Sequence, residues 1–223
     1  MHIEPGIVDS SKILLSYATA AGAIGFATRQ AIKDTKMAGI APFLARVGLS
    51  AAIGLFSFQI LPHFSAGVSE VHFIFGSTLF LLFGAAPAAF GLSIALLIQG
   101  LLFAPFDLPQ YGMNLTTLMA PLFALSVGAK RVIAPDTAYV DISYKQALAL
   151  STAYQAGIVA WVAFWVFYGQ GFTASTLSSV LTFGMAYMMV VLIEPLVDLA
   201  VLAGAKSLRD LTSSQLFNRR LLG

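Results

Sequence analysis

Apolar residues run along this chain in blocks, and the charges gather mostly between them. A helix needs about 20 apolar residues to cross a bilayer. The blocks predict seven segments: residues 11–31, 41–61, 71–84, 87–104, 113–130, 145–168 and 176–204. Asp9 or Ser10 is the expected cap of the first, Pro42 lies near the first turn of the second, and Pro62 ends it. Residues 71–104 would be too long for one crossing at about 1.5 Å per residue, so the short stretch Gly84, Ala85, Ala86 is read as a tight turn between two crossings. The predicted fold is an all-α polytopic membrane bundle of about seven transmembrane helices.

Composition agrees with this reading. Of 223 residues, 58% are hydrophobic and 10% charged, against about 25% charged in a soluble domain. Mean hydropathy is +0.86. A single membrane domain, residues 1–223, accounts for the whole chain, with residues 1–10 outside and a tail, 205–223, in the cytoplasm. The formal charge of +2 is too small to suggest a nucleic-acid partner, and with no cysteine there are no disulfides or thiolate metal sites. The start lacks the basic region of a secretory signal, so the encoded beginning is expected to persist, with bulky His2 protecting Met1 from removal.

The placement of charge gives an orientation. With the N-terminus outside and seven crossings, Arg29, Lys33, Lys36, Arg46, Lys130, Arg131, Lys145, Lys206, Arg209, Arg219 and Arg220 fall inside, and Lys12 alone falls outside. That is the asymmetry of the positive-inside rule, and it sets the C-terminus inside a cell (inner) membrane. The same topology gathers all three histidines, His2, His63 and His72, on the outer face with Glu4, Asp9, Glu70 and Asp107.

The sharpest chemical feature is Met1-His2. A free α-amine and the His2 backbone nitrogen close a five-membered chelate ring. The backbone nitrogen and the imidazole close a six-membered one. A deprotonated backbone nitrogen favours ions that accept a square-planar nitrogen field, as Ni(II) and Cu(II) do. His72 is the natural fourth nitrogen. The plainer alternatives are an ordinary terminal histidine for His2 and an interfacial one for His72, with His63 a loop residue at headgroup level.

MHIEPG at the start, Gln59, His72, Gly76, the run from Gln99 to Phe103, and Gly112, Met113 and Asn114 come in a recognisable order. In this the chain resembles the CbiM/NikM family, the cobalt and nickel substrate-specific subunits of energy-coupling factor transporters. The likeness covers residues 1–6 and about 55–125, and the last hundred residues by hydrophobic pattern only. It implies that Met1, His2 and His72 bind Co2+ or Ni2+ as transported cargo, with no permanently bound cofactor. It implies a second-shell role for Asn114, against the alternative, for Asn114 and Gln99 alike, of hydrogen bonding between helices. It further implies a coupling transmembrane subunit, cytoplasmic ATPase subunits and a small accessory membrane protein as partners. Where the family often has Ser-Gly before its later histidine, this chain has Glu70-Val71. Where the family has Gly-Asp-Gly-Gly, this chain runs from Ala104 to Asp107, and Thr117 stands near a second family asparagine.

Other features keep two readings. Glu194 and Asp198, spaced i to i+4, share a helical face and serve either a cation or proton relay, or pairing with a partner subunit or inner-side Lys or Arg. Ala18 with Gly22 and Ala21 with Gly25 are small-xxx-small pairs, expected to pack inside the bundle and able to dock a transmembrane partner. Tyr154, Trp161, Trp165 and Tyr168 read as packing plus an outer aromatic belt. The absence of a GxxxxGK[ST] loop and of HExxH excludes ATP hydrolysis by this chain and zincin chemistry. An intramembrane hydrolase pairing Ser65, Ser69 or Ser77 with His63 or His72, or a stand-alone secondary transporter, is the competing expectation.

Overall fold

The computed structural model describes residues 3–134 and 137–213. Among these, seven α-helices follow in order: α1 (Ile13–Ala38), α2 (Ile40–Gln59), α3 (Gly76–Phe83), α4 (Ala85–Leu102), α5 (Tyr111–Val132), α6 (Tyr144–Gln170) and α7 (Ala174–Ser213). A hairpin of β1 (Phe64–Ala66) and β2 (Ser69–Val71) separates α2 from α3. A short 3-10 helix, Pro105–Gln110, leads into α5.

Five of the helical stretches are long and apolar enough to span a bilayer: α2, α4, α5 with its 3-10 lead, α6 and α7. The molecule is a multi-pass, all-α membrane bundle. The third expected crossing is corrected. Residues 71–84 do not form one helix, because β2 takes Val71, residues 72–75 are irregular, and α3 has only eight residues, about 12 Å of helix. The division before α4 falls at Gly84, whose φ of +93° is the left-handed backbone that a tight turn needs and glycine tolerates. The first segment is also shifted. α1 begins at Ile13, no side chain caps it, and the Asp9 carbonyl accepts from the Lys12 and Ile13 N–H groups instead. At the other end of the chain, α7 runs past residue 204 and straight through Pro195.

α2 packs most extensively against α4, and glycine makes this possible. A Cβ on Gly91 would lie 2.2 Å from Ser50 Cβ and 2.8 Å from the Ala51 nitrogen. In lipid, where burying apolar surface gives no net drive, such close packing is what holds helices together. Gly91→Ala is expected to force α2 and α4 apart and destabilise the bundle by about 1–3 kcal/mol, read as a lower melting temperature in detergent. The α1 glycines behave otherwise. Ala18, Ala21, Gly22 and Gly25 are exposed, and a Cβ on either glycine would meet nothing within 4 Å. The expectation that they pack inside the bundle is corrected: this stripe faces outward.

At the end of the bundle where α1 stops and α2 starts, Arg46 bonds Asp34 at 2.6 Å and donates to the Phe83 carbonyl at the end of α3. The aromatic set on α6 is mixed: Tyr154 and Trp165 are fully buried, while Trp161 and Tyr168 are half-buried.

Candidate metal centre

Met1 and His2 lie outside the described residues. The segment that follows them is described, and it is tied down. Ile3 is fully buried against Val8, Met113 and Trp165. It forms an antiparallel bridge with Ser69 of β2, and Glu4 N–H donates to the Val68 carbonyl at 3.1 Å. Ile3 N–H donates to Asn114 Oδ1 at 2.9 Å. Asn114 sits in the first turn of α5 and is 1% exposed. The chain turns at Gly6, φ +91°, and the Ile7 carbonyl then passes so close to Gly169 that a Cβ there would sit 2.1 Å from it. The segment from Ile3 is thus bridged to the hairpin and pinned to α5 and α6.

β2 leads directly to His72, which is fully buried. Side chains alternate along an extended strand, so Glu70 and His72 share a side. Glu70 Oε2 lies 2.7 Å from His72 Nε2. When the ring is neutral, a carboxylate there holds the proton on Nε2 and leaves the lone pair on Nδ1, which is how metal-binding histidines are commonly oriented. The hairpin register pairs Phe64 with Val71, and this sets His63 across from His72. Their rings stack at 5.0 Å between centroids with 7° between planes, and Phe58 meets His72 edge-on at 6.1 Å. His63 is an exposed loop residue, as expected, with its ring against that of His72. Among the described residues no three His, Asp or Glu side chains are grouped to hold a metal ion.

Glu194 and Asp198 prove to be buried, at 1% and 2% exposure, and to hold the segment after His72. Glu194 Oε1 accepts from the backbone N–H of Ile74 and from that of Phe75, the latter at 3.0 Å. Glu194 Oε2 accepts from Gln155, whose own oxygen accepts from the Tyr187 hydroxyl at 2.8 Å. Asp198 accepts from the Ser77 hydroxyl at 2.6 Å and from that of Thr78. The expected pairing with inner-side Lys or Arg is corrected: Glu194 holds the two N–H groups just before α3 and Asp198 the hydroxyls of its first turn, at a helix start that favours negative charge. Phe75, with φ +56°, is held in the left-handed region at that turn. Ser77 is engaged by Asp198 and Ser151. Gln99 does bridge helices as expected, its amide donating to the Phe58 carbonyl of α2 at 3.4 Å.

The sequence profile of CbiM, described as a cobalt uptake substrate-specific transmembrane region, matches residues 2–210. The likeness thus extends well beyond residue 125, through α6 and most of α7. No curated protein is significantly similar in sequence. Two solved structures share the fold. The crystal structure of a truncated transition metal transporter superposes with a TM-score of 0.69 at 17% identity, over 92% of this chain and 99% of that one. The crystal structure of a transition metal transporter gives 0.68 at 16% identity, over the full length of both.

Proposed function

Because the chain belongs to the family of cobalt uptake substrate-specific transmembrane regions, and so is a membrane component of metal transport, we propose that it captures Co2+ or Ni2+ at the outer face and presents the ion for ATP-driven import by partner subunits. The ion is held by the Met1 amine, the backbone nitrogen and imidazole of His2, and His72. One observation carries this reading: the bond from Ile3 N–H to Asn114, in a segment bridged to the strand that leads to His72. The bridge joins Ile3 to Ser69, three residues before His72, so the start of the described chain lies beside the strand that leads to that histidine. Asn114 acts by fixing the peptide bond that joins His2 to Ile3. Glu70 acts by orienting the His72 ring.

Binding displaces protons from the amine and the amide, so affinity falls in acid. An α-amine titrates at about 7.7–8.0, and the loss of affinity is expected to be steep as pH drops below that range. The outward stripe of Ala18, Ala21, Gly22 and Gly25 suits close approach by a transmembrane coupling subunit. ATP hydrolysis belongs to cytoplasmic partners.

The test is metal analysis and calorimetric titration of the purified, untagged protein. Wild type is expected to carry or bind one Ni2+ or Co2+. His2→Ala should bind neither at comparable concentration, and Asn114→Ala should weaken binding by about 10–100-fold, the usual cost of removing an outer-shell hydrogen bond. Equal affinity of His2→Ala and wild type would sink the proposal.

A further inference from the structure

At the cationic end of the bundle, α1, α3 and α5 enclose a cavity of about 560 Å3. Its walls are apolar: Phe26, Phe80, Leu81, Val127 and Ile133. Its lining also includes three cations, Arg29 and Lys33 one turn apart on α1 and Lys130 on the last turn of α5. All three are exposed, and among the described residues none is in an ion pair. The nearby carboxylate of Asp34 is committed to Arg46. Asp136 lies in sequence between two lining residues, outside the described residues, and a single carboxylate would still leave the cations in excess. Three like charges gathered at the mouth of an apolar space repel one another, and an anion among them relieves that repulsion.

We propose that this cavity binds one anionic phospholipid, its phosphate on Arg29, Lys33 and Lys130 and an acyl chain along the wall formed by Phe26, Phe80 and Val127. The charge pattern and the apolar walls ask for a ligand that is anionic at one end and a hydrocarbon at the other. The positive-inside rule turns this end of the bundle toward the cytoplasm, where a membrane's anionic surface attracts Lys and Arg near helix ends. The volume is in the range of ligand pockets, roughly 300–1,000 Å3.

The experiment uses the full chain in vesicles of phosphatidylcholine and phosphatidylglycerol, extracted into detergent, washed, and assayed by mass spectrometry for retained lipid. Wild type is expected to retain phosphatidylglycerol over phosphatidylcholine. The triple variant R29Q/K33Q/K130Q should lose at least about tenfold of that retention, because each cation near a membrane surface adds appreciably to anionic-lipid attraction. A control with the same charge loss at the same end but away from the cavity, K36Q/R131Q/K145Q, should lose less than about twofold. Val127→Trp, which fills the apolar wall and leaves the charges, should also lower retention. Because the substituted cations are exposed, all charge variants should elute and melt as wild type does. Equal loss in the site variant and the control would overturn the proposal in favour of diffuse surface charge. Equal retention of both lipids, no effect of Val127→Trp, or displacement by an equal concentration of water-soluble glycerol phosphate would overturn it too.

Discussion

Two glycines placed before Met1 abolish Ni2+ and Co2+ binding at this centre, whereas the same pair added after Gly223 leaves it intact. The expectation follows from ring sizes. The amine and the His2 backbone nitrogen form a five-membered chelate only when that amine belongs to the residue just before the histidine. The added residues convert the Met1 nitrogen into an amide and move the free amine two residues away, so the donor set and its geometry change together. A single glycine would instead leave Gly-Met-His, whose amine, two amide nitrogens and imidazole can chelate Ni2+ without His72. The described structure leaves no slack to absorb the shift. Ile3 is fully buried, bridged to Ser69 and bonded to Asn114, so the two residues ahead of it have a fixed anchor. Loss of an outer-shell partner costs about 10–100-fold in metal affinity, and loss of a ligand should exceed about 100-fold. Titration calorimetry on the two extended proteins checks it, with matching melting temperatures in metal-free buffer showing that both are folded. Metal bound by the N-terminally extended chain with wild-type affinity would remove the amine from the mechanism.

His72 and Asn114 were legible from residue type and order, and the structure gives them partners that fit such a centre. The hairpin that leads to His72 was not. Residues 64–75 hold Phe64, Val68, Val71, Phe73, Ile74 and Phe75, and a short apolar run does not announce strand or helix by its periodicity. The signal lay in Gly67, whose φ of +65° makes the turn between β1 and β2, flanked by alternating positions that put Glu70 and His72 on one side. The bridge at Ile3 could not be read locally, since Ile3 and Ser69 are joined only by the fold. The outward face of α1 was hidden for a different reason. Lipid is as apolar as the bundle interior, so hydrophobicity does not tell the two faces apart, and small residues suit an internal interface as well as an external one.

Glu194→Ala is the other change expected to have a large effect, and here the pair Glu194 and Asp198 was visible in the sequence while its role was not. The groups Glu194 serves lie about 120 positions earlier, in the turn between His72 and α3. Alanine leaves the N–H groups of Ile74 and Phe75 and the amide of Gln155 without their acceptor inside an apolar bundle. An orphaned buried donor costs about 1–3 kcal/mol, and a loss of about 2–4 kcal/mol is expected for the cluster. Because this turn sets the direction in which the chain leaves His72, Ni2+ affinity should fall with stability, by about tenfold or more. Glu194→Gln separates positioning from charge. Its carbonyl oxygen can still accept from both backbone N–H groups, and Gln155 can reverse its amide to meet the new NH2 while the Tyr187 hydroxyl donates or accepts as required. Glutamine should therefore recover most of the melting temperature and most of the metal affinity. A proton or cation relay through Glu194 predicts that glutamine fails as alanine does, since an amide carries neither an exchangeable acidic proton nor a charge. Thermal unfolding and metal titration of the two variants decide between them: a glutamine variant as impaired as alanine in metal binding would show that the carboxylate's charge, and not its two accepted backbone bonds, is what the site requires.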